Sequence, residues 1–219
     1  MSFCAQIVPL VPKIVMHRLR TQRKPLNPSR HRKRLHNMTK WFKMLEGRTV
    51  NLKIIEKEDL PILKEWLNDL EFTGEYEPVA QETKTDLEKE YDRLTVGQWF
   101  FVEKKDGKKI GYVAHWVAHA HGSDLTELGY SLIPNERGKG YGSEAIRIIV
   151  DYLFLSKDIV RIQADTDPMN IASQRALEKA GFKREGILRK AFFCRGEWKD
   201  TALYSILREE WKELKILQK

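Results

Sequence analysis

The chain has 219 residues and a mass of 25.7 kDa, enough for one ordinary domain or one domain with an appendage. Hydrophobic residues make up 42% and aromatics 10%, which excludes wholesale disorder, and no run approaches the ~18–20 apolar residues that cross a bilayer, which argues against an integral membrane protein. The formal charge of +8 is unevenly placed: residues 1–43 hold eleven of the 39 Lys and Arg and none of the 31 Asp and Glu, so residues 44–219 carry −3 and the pI of 9.4 does not mark them as nucleic-acid-binding.

Residues 1–43 form a basic arm with Pro9, Pro12, Pro25 and Pro28 and its densest charge at Arg30-His31-Arg32-Lys33-Arg34. Without sustained apolar periodicity it reads as mostly disordered, with a short helix near 14–20. Three origins are open: an acid-free targeting segment, an electrostatic arm for RNA such as ribosomal RNA, or non-native sequence ahead of a start at Met44. The two cysteines, Cys4 and Cys194, make neither a disulfide framework nor a zinc site, and fit a reducing compartment, the cytoplasm.

From Met44 onward strand and helix signals alternate. Residues 49–55 alternate and are β-branched, the pattern of a strand. Leu60, Leu63, Leu67 and Leu70, with Trp66 beside them, predict one helix over 57–70, with Pro61 tolerated in its first turn. A second helix is predicted over 85–94. Strands at 98–104, 109–118 and 125–133, joined through Asp106-Gly107 and the turn 121–124, imply an antiparallel meander. After a loop at 134–139 comes a helix over 140–155 burying Ile146, Ile149, Val150 and Leu153, then a strand at 159–164. A helix over 171–180 turns Ala172, Ala176, Leu177 and Ala180 inward and is closed by Gly181. Two long strands, 182–194 and 197–207, flank Arg195-Gly196, and a terminal helix is predicted over 211–217. The sum is a single α/β (α+β) domain over 44–219 with a mixed sheet and no internal repeat.

The segment that carries chemistry is Arg137-Gly138-Lys139-Gly140-Tyr141-Gly142-Ser143, between a strand and an amphipathic helix. Its glycines leave main-chain N–H groups unshielded at a helix N-terminus, where the macrodipole favours phosphate. Gly142, one turn before Ile146, is expected to let the helix approach the sheet closely. The G-x-G-x-G spacing fits neither a dinucleotide fingerprint nor a Walker loop. A glycine-rich turn that only packs a helix is the competing explanation.

Arg137-x-x-Gly140-x-Gly142 resembles the acetyl-CoA pyrophosphate loop (Q/R-x-x-G-x-G/A) of the GNAT superfamily of N-acetyltransferases. Glu127-Leu128-Gly129-Tyr130-Ser131-Leu132 before it, and Asn170-Ile171-Ala172-Ser173 followed by Ala180-Gly181-Phe182 after it, agree with that resemblance. Glu185-Gly186-x-Leu188-Arg189, Gly196, Asp200 and Trp211 resemble the Rim-type branch that acetylates N-termini of ribosomal proteins, although that branch also holds enzymes acting on other amines. The resemblance covers about residues 44–217 and implies a mostly antiparallel seven-stranded sheet flanked by helices, with the cofactor in a cleft between the strands at 125–133 and 159–164.

It further implies acetyl-CoA as cosubstrate and no metal. By the resemblance, the main-chain N–H groups of Gly138, Lys139, Gly140, Tyr141 and Gly142 would hold the pyrophosphate, with a hydroxyl from Ser143, charge from Arg137 and from Lys139 (or Lys139 as a solvated surface lysine), and Asn170 on the cofactor arm or serving as a helix cap. Strand alternation sets Glu127, Gly129 and Ser131 on one face and Leu128, Tyr130 and Leu132 on the other. Glu127 is the candidate base, or alternatively a strand-edge or substrate-binding carboxylate. Ser173 is the candidate acid. The tyrosine that many members carry seven residues after the asparagine is replaced here by Leu177.

The implied acceptor is a protein N-terminus, as in a ribosomal protein, reached by direct attack in a ternary complex. The alternatives are a small amine (polyamine, amino sugar or aminoglycoside) or a non-catalytic ribosome- or RNA-binding protein. Monomer and homodimer are both open. His115, His119 and His121 share a face on a straight strand, but no carboxylate or cysteine completes a metal site by spacing. Trp99, Phe100, Phe101, Phe192 and Phe193 read as core and cleft lining, and nothing near Cys194 in sequence activates its thiol.

With four prolines and no acidic residue, the arm has little to bury against an ordering cost of ~1–2 kcal/mol per residue. A protein beginning at Met44 is therefore expected to keep the melting temperature and activity of the full chain. A drop in either, measured by thermal unfolding and acetylation assay, would show that the arm packs on the domain.

Overall fold

A computed structural model describes residues 45–93, 97–120 and 123–212. The arm, most of the predicted terminal helix, and His121 lie outside these residues. Seven strands form one sheet: β1 (Val50–Ile54), β2 (Gln98–Lys104), β3 (Lys109–Ala120), β4 (Ser123–Leu132), β5 (Arg161–Thr166), β6 (Lys183–Cys194) and β7 (Glu197–Leu207), in the spatial order β1-β2-β3-β4-β5-β7-β6. All neighbours are antiparallel except β4 and β5, which run parallel. The helices are α1 (Leu60–Leu67), α2 (Leu70–Thr73), α3 (Lys84–Arg93), α4 (Tyr141–Ser156) and α5 (Ile171–Lys179).

The two faces of the sheet carry separate cores. On one, α4 lays Ala145, Ile146, Ile149, Val150 and Leu153 against Phe100, Val113, Leu128, Ile162 and Tyr204. Complete burial of an Ile or Leu stabilises by ~1.5–3 kcal/mol, so this stripe holds α4 in place. On the other face Phe101 meets Ile55, Leu60 and Leu63. The aromatic run at 99–101 therefore serves both cores, because successive strand residues point to opposite faces. Arg208 closes the C-terminal end of α4, donating to the carbonyls of Phe154, Lys157 and Ile159 at 2.6–2.8 Å.

The structure departs from the periodicity in three places. The helix expected over 57–70 breaks after Leu67. Asn68 turns its side chain to the main chain of Glu82 in a reciprocal pair (2.9 and 2.7 Å), and Asp69 caps α2 by accepting from the Glu71 N–H at 2.9 Å. These polar contacts outcompete the next helical turn, and Leu70 is left 53% exposed. Ala172 is exposed in the first turn of α5, ahead of the buried Leu177. Phe193 is not core: it lies half-exposed near the β6–β7 turn, edge-on to Trp198 at 5.9 Å. Gly181 closes α5 as expected, with φ of 100° and the Phe182 N–H on the Leu177 carbonyl at 3.1 Å.

Among the described residues no group of three metal-ligating side chains converges. His119 pairs with Asp124 at 3.0 Å, whereas His115 is buried in the α4-side core beside Phe100, and its Nε2 finds no hydrogen-bond partner. Burial, then the nearby Lys157 charge, lowers its pKa to about 4. The unfolded chain, with a histidine near 6.5, binds a proton first. Stability is therefore full above pH 6.5 and falls as pH drops toward 4, by about 3 kcal/mol in total. Denaturant unfolding of His115→Phe is expected to lose about 2 kcal/mol less than the parent between pH 7.5 and 4.5; parallel profiles would show that His115 does not carry this acid sensitivity.

Candidate active site

The parallel β4–β5 ladder consists of two residue pairs, Thr126–Ile162 and Glu127–Gln163. Beyond them β4 stays with β3 as far as Leu132, and β5 stays with β7 as far as Thr166. The two strands thus part at Glu127 and open a cleft. Its walls are Leu128–Leu132 on one side and Ala164–Thr166 on the other.

At the end of β4, on the α4 side, lies the glycine loop. Gly138 (φ 74°) and Gly140 (φ 87°) occupy the left-handed region that glycine alone adopts without strain, and a Cβ at either would meet nothing within 4 Å. The space over these amides is open. Gly140 is the N-cap of α4 and no side chain caps the helix, so its first-turn N–H groups are left for an anion. The residues present therefore fit a pyrophosphate cradle. Gly142 does not match its expected packing role: a Cβ there would sit 3.7 Å from Leu132 and 3.8 Å from Tyr130, which is ordinary contact. Tyr141 packs partly buried against the core and Ser143 is buried.

Two cations expected to face a phosphate are engaged elsewhere. Arg137 donates from Nε to the Leu132 carbonyl at 2.9 Å and from its terminal nitrogen to the carbonyls of Phe72 and Glu71, and burial lowers its pKa. It staples α2 to the glycine loop. Lys139 pairs at 2.9 Å with Glu136, a buried carboxylate that also takes Lys108 at 3.2 Å and is pulled below the usual range by these hydrogen bonds, Lys139 first. Arg195 at the β6–β7 turn donates to the Gly74 carbonyl at 2.6 Å, so a second arginine holds the segment after α2.

Across the cleft, Asn170 caps α5: its Oδ1 accepts from the Ser173 N–H at 3.0 Å. Ser173 meets a residue the sequence did not nominate. The Tyr130 hydroxyl donates to the Ser173 carbonyl at 3.1 Å and lies 2.9 Å from Ser173 Oγ. Burial pushes the Tyr130 phenol up to about 12, so it stays protonated near neutrality. The only sequence signal was its place on β4, on the face opposite Glu127.

Glu127 faces the other side of the sheet. Its Oε2 accepts from Trp116 Nε1 at 2.9 Å and its Oε1 from Gln163 Nε2. Both donors are neutral. Trp116 is its cross-strand partner on β3, and the indole lies over Gly129, where a Cβ would come within 3.0 Å of the ring. Two positions on from Gln163, Asp165 accepts from Thr201 at 2.9 Å. Glu77 approaches Asp165 from the loop after α2. That residue keeps solvent-exposed surface, but its carboxyl is pushed up to about 7, first by desolvation and then by the Asp165 charge. The thiol of buried Cys194 is pushed up by its burial, the opposite of nucleophile activation.

An open, glycine-lined helix N-terminus beside a parted β4–β5 pair, with a carboxylate where the strands part, is an arrangement that suits a coenzyme-dependent acyltransferase. Comparison with known proteins agrees. Residues 48–183 match the acetyltransferase (GNAT) domain, and the chain belongs to this family of acetyl-CoA-dependent N-acetyltransferases. It is 29% identical over 181 residues to the probable N-acetyltransferase YjcK of Bacillus subtilis, covering 76% of this chain and 98% of the relative. It is 32% identical over 154 residues to the aminoglycoside N(6')-acetyltransferase type 1 of Klebsiella pneumoniae, covering 63% and 76%.

Among solved structures, the spermidine N-acetyltransferase of Vibrio cholerae in complex with CoA and spermine superposes with a TM-score of 0.64 at 23% identity, covering 74% of this chain and 97% of that one. The ribosomal-protein-S5-alanine acetyltransferase of Vibrio fischeri superposes with 0.63 at 24%, covering 76% and 97%. Among the described residues no helix is long and apolar enough to cross a membrane.

The two glycines give opposite expectations. Gly140→Asp sets a carboxylate and a strained φ against the pyrophosphate and should abolish acetyl-CoA binding in calorimetric titration of a folded protein. Gly142→Ala, with room for its methyl, should keep both melting temperature and affinity. Unchanged affinity in Gly140→Asp would take the loop out of the cofactor site.

Proposed function

We propose that this enzyme acetylates the α-amine of a protein N-terminus. The observation that carries the proposal is Glu127 at the point where β4 and β5 part, held only by neutral donors and so open to a cationic amine. An α-amine of pKa ~7.7–8.0 costs only about 1 kcal/mol to deprotonate at pH 7, against about 5 for a lysine, so one carboxylate acting directly or through a water is enough. Acetyl-CoA supplies the activated thioester. The main-chain N–H groups of Gly138–Gly142 hold its pyrophosphate, and Asn170 lines the cleft at the α5 end. Ser173, backed by the Tyr130 hydroxyl, is the proton donor toward the departing thiolate, which with a pKa of ~8.5 needs little help. The resemblance of 185–200 to the Rim-type branch, and the likeness to the S5-alanine enzyme, support a ribosomal protein as acceptor.

A second reading has its own observation. Glu77 and Asp165 add acidic groups beside the cleft, and a small polycationic amine such as a polyamine or aminoglycoside has amines to meet them. The aminoglycoside and spermidine enzymes among the similar proteins support this acceptor class.

Mass-spectrometric acetylation with peptides, spermidine and aminoglycosides separates the two. The α-amine proposal expects peptide N-termini to be modified far faster than internal lysines at pH 7; equal rates, or activity on polycations alone, would overturn it. Glu127→Gln should lower kcat on the order of a hundredfold near pH 7, the defect shrinking as pH rises through 8 and the amine loses its proton unaided. A defect constant with pH would make Glu127 an anchor for substrate and not its base.

A further inference from the structure

We propose that Gln163 is a positioning residue for Glu127, locked by Arg161 and Glu185 in the one orientation that donates to the carboxylate. The inference rests on the role given to Glu127 above and adds how the fold holds that carboxylate in place.

Trp116, Glu127, Gln163 and Ser205 form one row across β3, β4, β5 and β7, each the registered partner of the next. Gln163 is 8% exposed, and its amide has a donor end and an acceptor end that its own shape does not orient. Arg161, two residues earlier on the same face of β5, settles the choice. Its Nε and one terminal nitrogen both lie 3.3 Å from Gln163 Oε1. A guanidinium only donates, so the amide oxygen must face Arg161 and the NH2 must face Glu127. Reversing the amide would set NH2 against guanidinium and oxygen against carboxylate at once.

Arg161 is fixed in turn. It makes a two-toothed ion pair with Glu185 on β6, at 2.7 and 2.6 Å, and Glu185 Oε1 also accepts from the Ser205 hydroxyl at 2.6 Å. These contacts, Arg161 first and Ser205 second, hold the Glu185 carboxyl down at about 2, so the far end of the chain stays charged across any working pH. The result is a directed line, Ser205 and Arg161 into Glu185, Arg161 into Gln163, Gln163 into Glu127, with Trp116 closing the other side of the carboxylate. Each of Glu127's oxygens thus has one assigned donor and keeps acceptor capacity for an amine or a water.

The test is a double-mutant cycle on the full chain, with kcat and KM measured for acetyl-CoA and with both an alanine-initiated peptide and spermidine as acceptors. Gln163→Leu removes the donor. Gln163→Met is close to glutamine in length, carries no N–H and adds no second carboxylate beside Glu127, so it covers the case in which the leucine variant does not fold. Each is expected to lower kcat about tenfold with KM for acetyl-CoA unchanged, and to cause no further loss when combined with Glu127→Gln. Losses that multiply in the double variant, or no loss in the parent background, would overturn the positioning role while leaving Glu127 in place. A full-speed Glu127→Gln single variant would overturn both roles together.

Discussion

Everything in this molecule turns on a parallel strand pair that stops after two residue pairs. A sheet interrupted in its middle exposes main-chain N–H and C=O groups that must find partners elsewhere or remain open to solvent and ligand. The interruption is tolerable because each of the two strands is secured on its far side. β4 is registered with β3 along its whole length, and β5 with β7 along its own. The α4 stripe then spans the gap from below, touching residues of both halves, Leu128 on β4 and Ile162 on β5. The cleft is a defect in hydrogen bonding that hydrophobic packing holds at a fixed width.

Strand alternation then divides the chemistry. Along β4, Glu127 points to one side of the sheet while Leu128 and Tyr130 lie on the side of α4 and α5. The carboxylate proposed to meet the amine and a phenol that hydrogen-bonds Ser173 thus stand three residues apart on one strand without facing each other. The helix α2 and the glycine that ends it are held from two sides, α2 by Arg137 from the glycine loop and Gly74 by Arg195 from the β6–β7 turn. Arg137 in particular makes the glycine loop and α2 one mechanical unit.

What was legible in the sequence was local. The Asp106-Gly107 and Arg195-Gly196 turns, the apolar stripe of α4, the Gly181 stop and the glycine loop each follow from a few neighbouring residues, and each stands where the pattern sets it. The face on which Glu127 stands was legible because strand alternation fixes it opposite Tyr130. The departures are all tertiary. Leu70 fits the helical spacing, but Asn68 found a better partner in Glu82, fourteen residues away. Arg137 reads as a free cation beside a phosphate site, yet it serves carboxyl-terminal carbonyls of a helix more than sixty residues earlier. Trp116, Gln163 and Arg161 carry no motif at all. Their significance depends on the register between β3, β4 and β5, and no periodicity within a strand encodes which residue of its neighbour lies opposite.

That dependence has a consequence for how the acceptor side can vary. The proposed cofactor side is built from main-chain amides, which any substitution that preserves the turn leaves intact. The proposed acceptor side is built mostly from side chains in register, Trp116 over Gly129, Glu127 between two donors and Asp165 beside Thr201, with Glu77 arriving on a loop. A one-residue slip in β5 would carry Gln163 to the opposite face and leave Glu127 with one donor, because side chains alternate with a period of two. The β5–β7 ladder and the Arg161–Glu185 pair both resist that slip, so the contacts that orient the carboxylate also hold the strand in the register that brings it there. The loop carrying Glu77 is anchored at Gly74 by Arg195 and at Glu82 by Asn68, and no strand register fixes the residues between them. Charge near the cleft mouth can therefore change with the acceptor while the carboxylate and its supports stay fixed.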